Sequence, residues 1–334
     1  MTHYPAEGLG EGHLAPAAAA RTLGSLVREV RWLLTTAGVP EPEIESRLLV
    51  EFALGMTTAQ LLARSREPVP ADASERLAGP LARRLKREPL PYITGAREFY
   101  GRTFQVDQRV LIPRPESELL VERAVKFASE AGGGAAGHGA GLRIADVGTG
   151  SGALAVTLAL ELPEAEVFAS DSSGEALEVA RVNAKRLGAA RRIRWLQGDL
   201  VRPFESLSDS GRPFSRPFEG PSASSGRRLR DRASSGQFDI VVSNPPYVPS
   251  ADVDSGEPEL GYEPRLALDG GPDGLAVIRR LIAGLPGIMR PGRSVALVEA
   301  DPRSAGPAAE IARRAMPDAH VEVLPDLAGL DPCV

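Results

Sequence analysis

Ile144-Ala145-Asp146-Val147-Gly148-Thr149-Gly150-Ser151-Gly152-Ala153 reads as a buried strand, a glycine turn and the start of a helix. Glycines serve where φ must be positive or where a ligand comes close to the main chain. From Leu142 onward the alternation repeats. Strand patterns fall at residues 143–146, 166–170, 193–197, 238–243 and 294–299, and helical patterns at 154–160, 174–187 and 274–285. Strands alternating with helices predict an α/β fold, a doubly wound sheet with a largely parallel core. Residues 320–324 read as a closing edge strand.

Taken alone, the glycine turn leaves its nucleotide open. Gly148, Gly150 and Ala153 also satisfy the Gly-x-Gly-x-x-Gly/Ala pattern of dinucleotide enzymes. Asp171 ends the next strand, where a carboxylate can accept both hydroxyls of a ribose; such an acid serves NAD and S-adenosylmethionine alike. Gln197-Gly198-Asp199-Leu200 follows the third strand, where an adenine would lie. Asp199 can accept from the adenine amino group and Leu200 can pack on the ring, although Asp is also favoured at turns and caps.

The fourth strand decides the chemistry. Residues 238–243 run into Asn244-Pro245-Pro246-Tyr247. Neither proline has an N–H to give, so pairing stops and the backbone is held extended. The carbonyls and the Asn side chain then stand at the strand's carboxyl end, where open α/β sheets bind ligands. An amide flanked by outward carbonyls accepts two hydrogen bonds from a planar NH2. A hydride-transfer enzyme has no evident use for this arrangement. A methyl donor needs a nitrogen nucleophile in line with its sulfonium.

Outside this half, residues 1–20 form a leader rich in Ala, Gly and Pro. Residues 21–88 read as a small helical domain. Its first helix carries Leu23, Leu26, Val27, Val30, Leu33 and Leu34, its second carries Ile44, Leu48, Leu49 and Phe52, and two more follow near 58–63 and 73–87. Arg83, Arg84, Lys86 and Arg87 form a basic run, read either as a solvated helix end favoured by the dipole or as a contact for a partner. Residues 89–115 read as a β-hairpin linker turning at Gly101, and residues 117–131 as a helix. The stretch 205–236 repeats Arg-Pro-Phe and is crowded with Ser, Gly and Arg; its composition predicts a disordered insertion in the domain 116–334.

Composition excludes several classes. A net charge of −5 over 334 residues argues against non-specific nucleic-acid binding as the main activity. The one cysteine, Cys333, rules out a disulfide framework and points to a reducing compartment. His3, His13, His138 and His320 lack metal-ligand spacing, so no metal is expected. No apolar run spans a membrane, and residues 1–20 lack the layout of a signal peptide. A cytoplasmic protein is expected.

Asp146-x-Gly-Thr-Gly-Ser-Gly, Asp171 and Asn244-Pro-Pro-Tyr together resemble the class I S-adenosylmethionine-dependent methyltransferases that act on amide or exocyclic amino nitrogen. Arg97-Glu98-Phe99-Tyr100-Gly101, Leu111-Ile112-Pro113-Arg114-Pro115-Glu116 and the run from Tyr262 to Gly271 narrow the resemblance to the release-factor glutamine methyltransferase family (PrmC/HemK). That resemblance implies a mostly parallel, seven-stranded Rossmann-like methyltransferase sheet behind a helical substrate-recognition domain. It implies methyl transfer from S-adenosylmethionine to the glutamine amide of the Gly-Gly-Gln motif in class 1 peptide chain release factors. It further implies Asn244, Pro245 and Tyr247 as catalytic residues, with Pro246, Arg114 and Phe99 beside them on the substrate. Gly148, Thr149, Gly150, Ser151, Gly152, Asp171, Asp199, Leu200 and Asn244 are implied at the cofactor. Arg114 reads equally well as the salt-bridged centre of a Pro-Arg-Pro turn, and Glu299 is a weaker candidate. A release factor as protein substrate, a monomer, and no membrane or nucleic-acid partner complete the expectation. Asn-Pro-Pro-Tyr suits adenine N6 as well as glutamine, and a ribosomal-protein glutamine shares the chemistry. The negative charge and the short helical N-terminal part argue against adenine.

Overall fold

The structure is a computed structural model that describes residues 21–131, 139, 141–205, 207, 238–325 and 332–333. The leader 1–20, nearly all of the glycine-rich link 132–141, and the insertion 205–236 apart from Glu205 and Leu207 lie outside the described residues. The chain divides into two units between Thr94 and Gly95.

The first unit is helical: α1 (Leu23–Thr36), α2 (Pro42–Leu54), α3 (Thr58–Ala63), α4 (Ala73–Leu85) and α5 (Leu90–Thr94). Thr22 and Ser25 form a capping box that starts α1. Gly55, at positive φ, ends α2. Leu23, Leu26, Val30 and Leu34 of α1 pack on Leu49, Val50 and Ala53 of α2, with Leu77 and Ile93 closing the cluster. Helix α5 belongs to this core, so the unit runs past residue 88. The apolar stripe expected on α2 faces the other way. Ile44, Leu48 and Phe52 are 45%, 38% and 45% exposed, and only Leu49 of that set is buried. Periodicity placed two faces in competition, and packing against α1 and α4 chose the one bearing Leu49, Val50 and Ala53.

The basic run is largely consumed inside this unit. Arg83 pairs with Glu88 at 2.6 Å, and Arg84, 2% exposed, pairs with Glu45 and donates to the Glu88 carbonyl. Removing one partner of a buried ion pair strands the other charge. Arg84→Ala is therefore expected to cost the helical unit about 3 kcal/mol, read as faster amide exchange across α2 and α4.

The second unit opens with a hairpin, β1 (Ala96–Phe99) and β2 (Arg102–Gln105), paired Phe99 to Arg102. Tyr100 and Gly101, at φ 51° and 67°, make the two-residue turn whose twist suits the strands. A 3-10 turn at Pro115–Ser117 leads into α6 (Glu118–Ala131). There follow β3 (Arg143–Val147), α7 (Ala153–Glu161), β4 (Glu166–Asp171), α8 (Gly174–Arg186), β5 (Ile193–Gln197), α9 (Arg202–Glu205) and β6 (Ile240–Ser243). After two short helices, α10 (Ser250–Ser255) and α11 (Arg265–Leu268), come α12 (Ala276–Ile288), β7 (Val295–Val298) and α13 (Pro302–Ala315).

The central sheet is parallel throughout, in the order β5-β4-β3-β6-β7. Alternate residues sort to its two faces. Ile144, Val167 and Val242 join α6 and α7 on one side; Ala145, Phe168 and Val241 join α12 and α13 on the other. That is the doubly wound arrangement. Among the described residues the sheet has five strands where seven were expected. The closing segment gives only a two-residue ladder, β8 (Leu324–Pro325) against β9 (Pro332–Cys333), in a separate antiparallel sheet. A proline sits in each partner of that ladder, and each removes a donor.

Candidate active site

Strands β4 and β5 build outward on one side of β3, and β7 follows on the far side of β6, so the strand order switches between β3 and β6, parallel neighbours at the middle of the sheet. Their carboxyl ends form the crevice where open α/β sheets bind ligands. The glycine loop leaves β3 and Asn244-Pro-Pro-Tyr leaves β6. Ser243 Oγ ties the two by donating to the Val147 carbonyl at 2.7 Å.

In the loop, Gly148 and Thr149 both donate their N–H to the Ser170 carbonyl at 2.9 and 2.8 Å, which folds the turn back onto β4. Gly148 and Gly150 have φ of 76° and 52°. A Cβ built on either meets nothing within 4 Å, so both open onto free space beside bare main chain. Gly152 answers a different need: a Cβ there would lie 3.0 Å from the Ala180 Cβ, so its absence lets α7 pack against α8. Ser151 contributes its carbonyl, which accepts from Asn183 Nδ2 at 2.9 Å.

Two carboxylates hold the loop. Asp171 accepts from Gly150 N–H and from Ser173 N–H, each at 2.9 Å, one on each oxygen. Burial pushes its carboxyl up, while the backbone donors pull it back. Each oxygen keeps a lone pair for a diol. Asp146 is fully buried; its Oδ2 accepts from Thr149 Oγ1 at 2.6 Å and Ala155 N–H at 3.1 Å, and its Oδ1 has no partner. Burial raises its carboxyl to about 7, against an ordinary 3.8. An acid raised by folding binds more protons folded than unfolded, so its contribution to stability is lost as pH climbs through that interval. Asp146→Asn is expected to gain in thermal midpoint over the wild type as pH rises from about 4 to about 7, checked by paired melting curves of the unliganded proteins.

The loop after β5 is held by contacts of its own. Asp199 pairs with Arg280 and, at 3.9 Å, with Arg202. Leu200 is held at φ 49° and packs on the apolar cluster beneath the sheet with Phe204 and Val201. Asp199 therefore sits in an ion-pair network beyond the carboxyl end of β5, with Leu200 partly buried beside it.

On the other wall, Asn244 Nδ2 donates to Ser117 Oγ at 2.9 Å. Among the described residues nothing donates to Asn244 Oδ1 or to the Pro245 carbonyl. Tyr247 OH donates to Glu299 Oε1 at 3.1 Å, and Ser117 Oγ donates to Glu299 Oε2 at 2.5 Å. The run 268–274 braces the segment from behind. Val248 N–H donates to the Leu268 carbonyl and Gly270 N–H to the Val248 carbonyl, each at 2.9 Å, and a Cβ on Gly274 would stand 2.3 Å from the Tyr247 carbonyl. Pro246 is half-buried. A cavity of about 380 Å³ opens beside Tyr247, lined by Pro249, Leu275, Arg279 and Arg303 among others, and no glycine-loop residue reaches it.

Arg114 takes the salt-bridged alternative. It donates to the Glu263 carboxylate at 2.6 Å, and the other Glu263 oxygen accepts from Ile112 N–H at 3.1 Å. Phe99 is a correction. It is 1% exposed and meets Phe104 edge to face at 6.0 Å inside the core, so it does not line the crevice. Its aromatic character serves the hairpin's packing.

Three residues escaped the sequence reading. Ser117 and Glu263 lie 127 and 19 positions from Asn244, at spacings that carry no local periodicity. Asn183 was legible in principle: it sits on the buried face of α8 between Ala180 and Ala184, and binds both Ser151 and the edge of β2. A polar residue on an apolar face signals a fixed contact.

The residues fit S-adenosylmethionine. The open main chain at Gly148 and Gly150 and the two-acceptor Asp171 suit a nucleoside, and the unpartnered Asp146 oxygen suits a cationic or donor group nearby.

Residues 25–95 match the family described as PrmC N-terminal domain, and residues 144–214 match a methyltransferase domain family. The release factor glutamine methyltransferase of Moorella thermoacetica is 37% identical over 94% of this chain and 96% of its own length. That of Neisseria gonorrhoeae is 40% identical over 87% and 91%. That of Deinococcus radiodurans is 37% identical over 92% and 95%. Identity of this level across both units, together with the crevice between β3 and β6, places this chain in the release factor glutamine methyltransferase family.

Proposed function

We propose that this protein transfers the methyl group of S-adenosylmethionine to the side-chain amide nitrogen of the glutamine in the Gly-Gly-Gln motif of class 1 peptide chain release factors. It acts in the cytoplasm and as a monomer, with the helical unit recognising the release factor. The observation that carries the reading is the state of Asn244: its Nδ2 is engaged by Ser117, and its Oδ1 is free at the crevice beside the glycine loop.

An amide nitrogen is a poor nucleophile because its lone pair is delocalised into the carbonyl. Asn244 Oδ1 and the Pro245 carbonyl each accept one hydrogen bond from the substrate NH2. They hold it still, favour electron density on nitrogen, and stabilise the positive charge that grows there. Acceptors placed where charge develops contribute about 3 kcal/mol each when preorganised. Bound S-adenosylmethionine supplies a methyl group on a cationic sulfur. Gly148, Thr149, Gly150, Ser151 and Gly152 would shape the main chain around it, Asp171 would accept from the ribose, and Asp199 with Leu200 would border the adenine. Tyr247 packs on the substrate amide. The nitrogen proton is acidic enough after transfer to leave to water, so no general base is required.

Incubation with methyl-labelled S-adenosylmethionine tests this. Label is expected on a release factor and is expected to vanish when its Gly-Gly-Gln glutamine becomes asparagine. Label on DNA with none on the release factor overturns the reading.

A further inference from the structure

We infer that Ser117 and Glu299 are positioning residues that set which way round the Asn244 amide faces. The argument is one of hydrogen-bond polarity. An ionised carboxylate only accepts. Glu299 is 2% exposed, and both its oxygens are taken, one by Ser117 Oγ at 2.5 Å and one by Tyr247 OH at 3.1 Å. Ser117, itself 4% exposed, thereby commits its one proton to Glu299 and can only accept from Asn244. Only the NH2 end of the Asn244 amide can meet it, which it does at 2.9 Å. The carbonyl end is left facing the crevice. A flipped Asn244 would set two acceptors against each other at Ser117 and two NH2 groups against each other at the substrate.

One buried carboxylate thus orients both polar members of Asn244-Pro-Pro-Tyr from outside the motif. Burial pushes the Glu299 carboxyl up, and the two hydroxyl donors pull it back. Ser117 comes from the 3-10 turn before α6 and Glu299 from the end of β7, on the far side of β6 from the glycine loop. From sequence alone, Ser117 carries no role and Glu299 is a weaker candidate. This inference rests on the reading that Asn244 Oδ1 accepts from the substrate amide.

The test is a double-mutant cycle in the labelled-methyl assay with release factor as substrate. Ser117→Ala is expected to lower kcat roughly 10–100-fold, with the Kd for S-adenosylmethionine and the KM for release factor changed less than about threefold. Ser117→Thr, which keeps the hydroxyl, is expected to recover most of the loss. In an Asn244→Ala background, Ser117→Ala is expected to have no further effect, because the group through which it acts is gone. Glu299→Gln, nearly isosteric, is expected to show the same kcat loss and the same non-additivity, and serves if Ser117→Ala fails to fold. A kcat within about twofold of wild type for both Ser117→Ala and Glu299→Gln, or losses that multiply with that of Asn244→Ala, overturns the inference. Full turnover by Asn244→Ala overturns instead the reading beneath it.

Discussion

Asn244→Ala is expected to lower kcat about 10²–10³-fold while the Kd for S-adenosylmethionine stays within about threefold. The substitution deletes the side-chain acceptor and leaves the Pro245 carbonyl, so the substrate amide keeps one hydrogen bond and loses its fixed plane. Charge then grows on a nitrogen with half its stabilisation. The glycine loop is held without Asn244, through Ser170, Asp171 and Asn183, so cofactor affinity has no reason to fall in step. Single-turnover rates and isothermal titration separate the two quantities. An affinity loss as large as the rate loss would contradict the assigned role.

Asp171→Ala is expected to do the reverse, weakening S-adenosylmethionine binding by about 10²-fold or more. The change removes the acceptors for the ribose and strands the N–H groups of Gly150 and Ser173, which both end on this carboxylate. Gly150 sits at positive φ in the loop, so its conformation loosens as well as its ligand. At saturating cofactor, kcat should recover to within about tenfold of wild type, since Asn244 and the Pro245 carbonyl are untouched. A Kd within threefold of wild type by titration would remove Asp171 from the cofactor site.

Much of the fold was legible before any coordinates. The strands at Ile144, Val167 and Val241 announced themselves because a parallel strand inside the sheet is buried on both faces and reads as a largely apolar run. The edge strand at Ile193 is only partly buried and mixes Arg194 and Gln197 into its pattern. The hairpin turn at Tyr100-Gly101 was legible because few residues tolerate its φ. The strand count was not. A closing ladder with Pro325 and Pro332 in its partners has little sequence signal, and its pairing is decided by neighbours. The exposed face of α2 was misread for a related reason. Ile44, Leu48 and Phe52 have the same spacing as a buried stripe, and only the positions of α1 and α4 tell the two faces apart.

The site divides along the same line. Chemistry carried by residues adjacent in the chain was visible: Gly148 to Gly152, Asp171 at a strand end, and Asn244 to Tyr247. Backbone geometry and strand position follow from local sequence, so their consequences could be worked out from it. What tertiary structure alone decided were the partners. It sent Phe99 into the core, gave Arg114 to Glu263, and tied Asp199 to Arg280. It also set Ser117 and Glu299 behind Asn244, from segments 127 and 55 residues away. Hydrogen-bond polarity passes through space rather than along the chain. The amino-acid sequence by itself therefore determined that an amide waits at the end of the fourth strand of the sheet, and the folded structure decided which of its two ends faces the substrate.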